Sequence, residues 1–377
     1  VSYMCSGKGL GRTRRVAPQL CGLPFALILL VTTGCNTVPQ VPAGPARDVH
    51  AEIEQRIPAK TPDRDGWAAD IQTALAAQRI EPNTENICAV LAVIEQESGY
   101  RADPPVDNLP QIARQEIRRR ASAVRIPGLM VDAGLKIRAL DGISYGDKLA
   151  RVRTERDLSR LYEEIIDRVP MGRRLFAGKN PVQTGGAMQV GIPFAQAHAQ
   201  GYPYPVQSSI RDEVFSRRGG IYFGTMHLLG YQTPYTRKVH RFADYNAGWY
   251  ASRNAAFQSA VAMATGITLE LDGDVLVPDA ALDKPGQTER AVRSLGPQLG
   301  MDERLIRRAL EQADTLAFSD SELHHRVFDL AEARAGHALP RAMIPGIRLD
   351  SPKITRELTT EWFANRVDER YRQCLAR

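Results

Sequence analysis

The sequence predicts a mainly α protein, and three observations carry that expectation. Apolar residues recur at helical spacing along most of the chain, as in Trp67, Ile71, Ala74 and Leu75 and again in Ile87, Val90, Leu91 and Ile94. Strand-like alternation stands out over residues 267–277, where it flanks an Asp272-Gly273 turn and predicts one small β-hairpin. A chain of 377 residues with 43% hydrophobic and 24% charged content is ordinary globular material with room for two domains.

The elements follow in order. Residues 1–34 read as an export signal: basic Arg12, Arg14 and Arg15 precede the apolar run from Leu23 to Val31, then the small residues Thr32, Thr33 and Gly34. The run is shorter than the roughly 20 residues a spanning helix needs. Cys35 after Thr-Thr-Gly resembles the acylated cysteine of bacterial lipoproteins, and Asn36 behind it resembles their outer-membrane sorting signal. That places the protein, lipid-anchored, on the periplasmic face of the outer membrane; ordinary secretion with cleavage nearby is the alternative. Each buried acyl methylene would add about 0.8 kcal/mol of membrane attachment. Residues 35–64 carry Pro39, Pro42, Pro45, Pro58 and Pro62 and read as a tether, with folded structure beginning near Gly66.

Helices are expected over 67–78 and 84–98, the second with Asn83 as N-cap and Gly99 as its stop. Residues 103–180 are charged, proline-punctuated and helical in pattern. Further helices are expected over 214–229, 239–245, 288–295, 302–316 and 321–335. No internal repeat is visible.

The formal charge of +6 includes four cations, Lys8, Arg12, Arg14 and Arg15, that leave with the signal, so a nucleic-acid partner gains little support. The run Arg118-Arg119-Arg120 reads as a solvated helix face. Five cysteines are too few for a disulfide scaffold. Once Cys5 and Cys21 are removed and Cys35 is acylated, Cys88 and Cys374 remain. In an oxidising periplasm they either pair or sit as separate buried thiols. Histidines are scattered without ligand spacing, and neither a phosphate loop nor a nucleophile elbow occurs, so neither metal nor cofactor is expected.

Three segments carry candidate chemistry: Glu97-Ser98-Gly99 at a helix end, Gly185-Gly186-Ala187-Met188-Gln189, and Ala243-Asp244-Tyr245-Asn246-Ala247-Gly248. In this order they resemble the motifs of the soluble lytic transglycosylase family of the lysozyme-like superfamily. The stretch Ile221 to Leu229 is similar to the helix that family places between its second and third motifs. The resemblance covers roughly residues 84–260, and residues 103–180 interrupt it as an insertion. Ala187 stands where the family has Leu, and Asp244 where it has a small apolar residue. The implied organisation is a lysozyme-like transglycosylase domain over 65–265 and a hairpin with a helical region over 266–377.

The resemblance implies cleavage of peptidoglycan strands between N-acetylmuramic acid and N-acetylglucosamine, leaving a 1,6-anhydro sugar. Glu97 would be the acid–base group, with Tyr245 orienting it. Ser98, Gly186, Met188, Gln189 and Asn246 would hold the glycan. Such an acid must stay protonated near neutral pH, and the negative end of an apolar helix is a fitting place for it. Glu95 projects about 200° away on the same helix and reads as a surface residue. Asp103 and Asp107, the remaining candidates for a second carboxylate, read as loop residues. A hydrolytic muramidase and a non-catalytic glycan-binding lipoprotein are the alternatives.

Overall fold

A computed structural model describes residues 47–349 and 357–377. The expected signal segment, Cys35 and the first part of the tether lie outside these residues. The chain from Asp48 onward forms one compact unit, mainly helical. Among the described residues, no helix is long and apolar enough to cross a membrane.

Structure begins earlier than Gly66. Asp48 caps α1 (Val49–Arg56), whose Ile53 is buried against α2 (Arg64–Ala77), so the tether expected to reach residue 64 is folded in its second half. Helix α3 (Thr84–Glu97) has Asn83 as N-cap, as its sequence signals require. It buries every residue from Ile87 to Ile94, and a helix apolar all round must be surrounded.

Residues 103–180 then form five α-helices, α4 (Leu109–Ala123), α5 (Gly128–Leu135), α6 (Tyr145–Arg151), α7 (Glu155–Asp167) and α8 (Gly172–Phe176), and one 3-10 turn over Ala177–Lys179. They share a small core of their own, built on Leu109, Tyr145, Leu149 and Leu161.

The chain returns to α3 through a two-residue-per-strand hairpin, β1 (Thr184–Gly185) antiparallel to β2 (Val190–Gly191). After it come α9 (Ile192–Ala197), α10 (Ile210–Val214), α11 (Arg217–Leu229) and α12 (Lys238–Ala247). Helix α13 (Ala251–Thr265) opens a second core with α14 (Gln287–Ser294), α15 (Gly296–Leu299), α16 (Glu303–Leu310) and α17 (Glu322–Ala335), around Phe257, Phe318 and Phe328. The chain closes with β3 (Arg348–Leu349) paired to β4 (Leu358–Thr359) and with α18 (Thr360–Leu375).

Two expectations fail here. Residues 267–277 form no β-hairpin. Their polar groups are taken by α13 instead: Gln258 accepts from the Gly273 N–H at 2.8 Å and donates to Asp272 and to the Asp274 carbonyl. Leu269 and Val275 meanwhile enter the second core. Satisfying a backbone through one buried amide removes the need for a cross-strand ladder. The boundary at residue 265 is also displaced. α13 belongs to the second core, whereas α18 crosses back onto α3 and α12 and completes the first. A disulfide between Cys88 of α3 and Cys374 of α18, with S–S 2.00 Å, fastens that return.

Candidate functional site

Glu97 is the last residue of α3 and is half-buried. The helix stops there because Ser98 donates its hydroxyl back to the Ile94 carbonyl at 3.0 Å and accepts from Arg101 N, while Gly99 and Tyr100 take positive φ. Ser98 therefore serves the turn. Tyr100 folds under it, edge-on to Trp67 at 5.5 Å. Glu95 lies toward α18 rather than in open solvent, 3.9 Å from Arg370. The two glutamates thus leave α3 on different sides, as their spacing requires.

The second segment is the turn between β1 and β2. Gly186 has φ +77°, and a side chain there would meet the Val214 carbonyl at 2.0 Å; one at Gly185 would meet the Phe215 ring at 2.3 Å. Both glycines are required by the protein's own packing on α10 and α11, not by the approach of a glycan. Met188 is fully buried against Gly224 of α11 and cannot line a sugar subsite. Gln189 is the half-buried member of this segment, its side-chain oxygen accepting from the Thr184 hydroxyl at 3.3 Å. It holds φ +50°, a sparsely populated conformation for a residue with a side chain.

The third segment is the end of α12. Tyr245 is buried, and its hydroxyl donates to the Met188 carbonyl at 2.6 Å, fixing the turn next to Gln189. Burial pushes this hydroxyl's pKa well above its ordinary value, and the negative charge of Glu97 pushes it the same way. Glu97, the Gln189 turn and Tyr245 therefore converge, although the hydroxyl's bond is to Met188 rather than the expected carboxyl. Asn246, exposed one residue on, accepts from the Thr360 hydroxyl at 2.8 Å and so ties α12 to the start of α18.

Asp244 faces the other way. It is fully buried and accepts from the Tyr231 and Tyr235 hydroxyls at 3.0 and 2.8 Å and from the N–H groups of Tyr250 and Ser252 at 3.1 and 2.6 Å. Burial raises its pKa while those bonds oppose the rise. It holds the α12–α13 corner.

Several site neighbours have no local sequence signal. His227 of α11 has its Nε2 3.1 Å from the Tyr245 carbonyl, and burial lowers its pKa to about 4. Around it stand the half-buried rings of Phe194, His198 and Trp249; Phe194 stacks on His198 at 4.1 Å and meets Trp249 edge-on at 5.4 Å. From residues 103–180 comes buried Glu155, whose Oε2 accepts from Gln189 Nε2 at 2.9 Å. Asp103 is half-buried and accepts from the hydroxyl of Thr154, the α7 N-cap, at 2.9 Å; burial raises its pKa. Asp107 is exposed. The segment read as an insertion thus reaches the candidate site through Glu155. Its capping box, Thr154 with Asp157, marks the helix start in sequence but says nothing of Gln189, which lies 34 positions on.

Among the described residues one group could hold a metal: His50, Glu54 and Asp65, with ligand atoms within 4.8 Å of one another, on α1 and at the start of α2. It shares no residue with the three segments.

A helical protein with a carboxylate at a helix end, facing a tight turn and a buried tyrosine, is the class this geometry defines. By comparison with known proteins the chain belongs to a family described as a protein of unknown function, DUF1615, whose model matches residues 60–377. It is similar to a protein of Escherichia coli (strain K12) described as "Uncharacterized protein YaiW", 50% identical over 352 residues, which are 93% of this chain and 96% of that one. No solved structure matches.

The expected membership in the soluble lytic transglycosylase family is overturned by that match. The resemblance rested on three short segments, whereas the DUF1615 model spans residues 60–377, including 103–180 and the region after 265. Much of what the segments share is explained locally: Gly185, Gly186 and Met188 meet packing demands that any tight turn against a helix would impose.

Proposed function

We propose that the protein cleaves the β-1,4 bond between N-acetylmuramic acid and N-acetylglucosamine in peptidoglycan without consuming water, with Glu97 as acid and then base. The supporting observation is the meeting of Glu97, the Gln189 turn and Tyr245, in which the carboxylate's charge is felt by a buried phenol. In this reading the lobe around α3 is lysozyme-like. Glu97 gives its proton to the glycosidic oxygen as the C1–O bond breaks, and the N-acetyl group stabilises the cationic C1. The carboxylate then takes the proton of the 6-hydroxyl as that oxygen bonds to C1. Gln189 hydrogen-bonds a sugar substituent, and Phe194, His198 and Trp249 offer ring faces. No cofactor enters.

Digestion of purified sacculi, read by mass spectrometry, tests it. Wild type should yield muropeptides lighter by one water, and Glu97→Gln, which keeps shape but cannot exchange a proton, should lower the yield by at least about a thousandfold. Products with a reducing end alone would identify a hydrolytic muramidase. Full activity in Glu97→Gln would remove the site. A second reading, glycan binding without cleavage, is favoured by the engagement of Gln189 with Glu155 and of Asn246 with Thr360; co-sedimentation with sacculi and no soluble product would select it.

Lipid anchoring through Cys35 at the periplasmic face of the outer membrane belongs to the same proposal. Its support is the sequence before and after that cysteine. Cys35→Ala should move the protein from the membrane to the soluble fraction, and unchanged fractionation would refute the anchor.

A further inference from the structure

Most of the large apolar side chains that the fold leaves open are gathered at one place. Of the seventeen exposed among the described residues, ten lie between Val124 and Phe176. Leu140 and Leu129 are 90% and 82% exposed, so they project from the surface rather than line a groove. Helix α5 is apolar along Leu129, Met130 and Val131, yet none of its eight residues is buried. A helix of that composition is ordinarily covered. Apolar residues exposed singly need no explanation, whereas a gathered set marks a surface that meets something. Two segments build it, 124–140 and 168–179, and they lie side by side: Arg168 donates to the Arg138 carbonyl at 2.8 Å and Arg120 to the Lys179 carbonyl at 3.2 Å.

What surrounds these side chains is cationic. Arg118 pairs with Asp132, Arg119 and Arg120 with Glu116, and Arg173 with Asp167. Arg125, Lys136, Arg138, Arg168, Arg174 and Lys179 are exposed and have no carboxylate partner among the described residues. The same face of a second copy would set these six cations against six more, a costly juxtaposition. Projecting apolar side chains among unpaired cations are instead complementary to a surface of anionic headgroups over a fluid apolar interior. We propose that this end of the α4–α8 lobe docks on an anionic phospholipid bilayer. Leu129, Met130 and Leu140 enter between the headgroups, and Arg125, Lys136 and Arg174 rest on the phosphates. The contact is additional to any lipid at Cys35 and independent of glycan cleavage.

The unit from Asp48 to Arg377 is compact by itself and lacks the expected signal and Cys35, so vesicle binding by it reports on this surface. Co-sedimentation at about 0.1 M salt should show binding to phosphatidylethanolamine–phosphatidylglycerol vesicles at least about tenfold tighter than to phosphatidylcholine vesicles, and about 0.5 M salt should weaken it. Leu129→Glu combined with Leu140→Glu, at positions too exposed to disturb packing, should weaken binding at least about tenfold, as should Arg125→Glu combined with Lys136→Glu. Val277→Glu, at an exposed apolar position elsewhere, should bind like wild type. Bound vesicles should also slow tryptic cleavage between residues 118 and 138. Equal binding to both kinds of vesicle, or wild-type binding by the Leu129→Glu, Leu140→Glu protein, would overturn the proposal. So would absence of vesicle binding, and a dimer abolished by the same two substitutions would then assign the surface to a second copy.

Discussion

At the scale of single residues, the centre of the molecule is set by polar groups with no water to turn to. His227 illustrates the energetics. It is held neutral beside Tyr245, and its pKa falls from the ordinary 6.5 to about 4 because burial disfavours the imidazolium. The unfolded chain takes up a proton below about pH 6.5 and the folded one does not. His227 therefore stabilises the fold fully above that pH and progressively less as pH falls toward 4, a change on the order of 3 kcal/mol. His324, lowered to about 3 among Phe257, Phe318 and Phe328, acts in the same direction. Thermal midpoints measured between pH 7 and pH 4.5 should decline, and His227→Gln should decline less steeply; parallel slopes would refute the assignment. The place of Glu97 at the end of α3 was legible in the sequence because a carboxylate closing an apolar helix is a local pattern. Glu155, Phe194 and Trp249 were not, since their relation to the site exists only once distant helices have packed.

At the scale of elements, α3 and α18 depend on one another. Cys88 and Cys374 lie 286 positions apart, and closing so long a loop removes much freedom from the unfolded chain. Cys374→Ser should cost on the order of 5–6 kcal/mol by that chain-entropy estimate. Urea unfolding of the non-reduced proteins measures it, and an unchanged midpoint would show that packing alone holds α18. Buried Phe363, Ala364 and Val367 on α18 already face that core, so the variant should remain helical. Sequence reading succeeded for α3 and α17, where the caps Asn83 and Ser321 precede an apolar period. It failed at residues 267–277 because Gln258, a residue of the preceding helix, supplies the hydrogen bonds a partner strand would have given. A period of two reports which side chains are buried, not which groups satisfy the backbone.

At the scale of the molecule there are three cores among the described residues, and their connections differ. The two large ones meet along the chain at the α12–α13 corner, where Asp244 is held and where buried Arg253 donates to the carbonyls of Ala313 and Thr315. The small core of α4, α6 and α7 is fastened mainly at its base, where Arg211 donates to Val182 and Asn180 to Ser159. Its far end carries Val124, Arg125 and Ile126 in an exposed turn. Brief trypsin treatment should therefore cut first between residues 118 and 138, leaving fragments that stay associated and melt nearly as the intact protein does. First cuts within α13–α17 would contradict this ranking. The return of α18 to α3 also has a meaning in time. α3 leaves the ribosome with its apolar flank bare, and the residue of α18 bonded to it follows 286 positions later. Through that whole interval the lobe carrying Glu97 is unfinished, so whatever Glu97 does is withheld until nearly all of the chain that completes the lobe has been made.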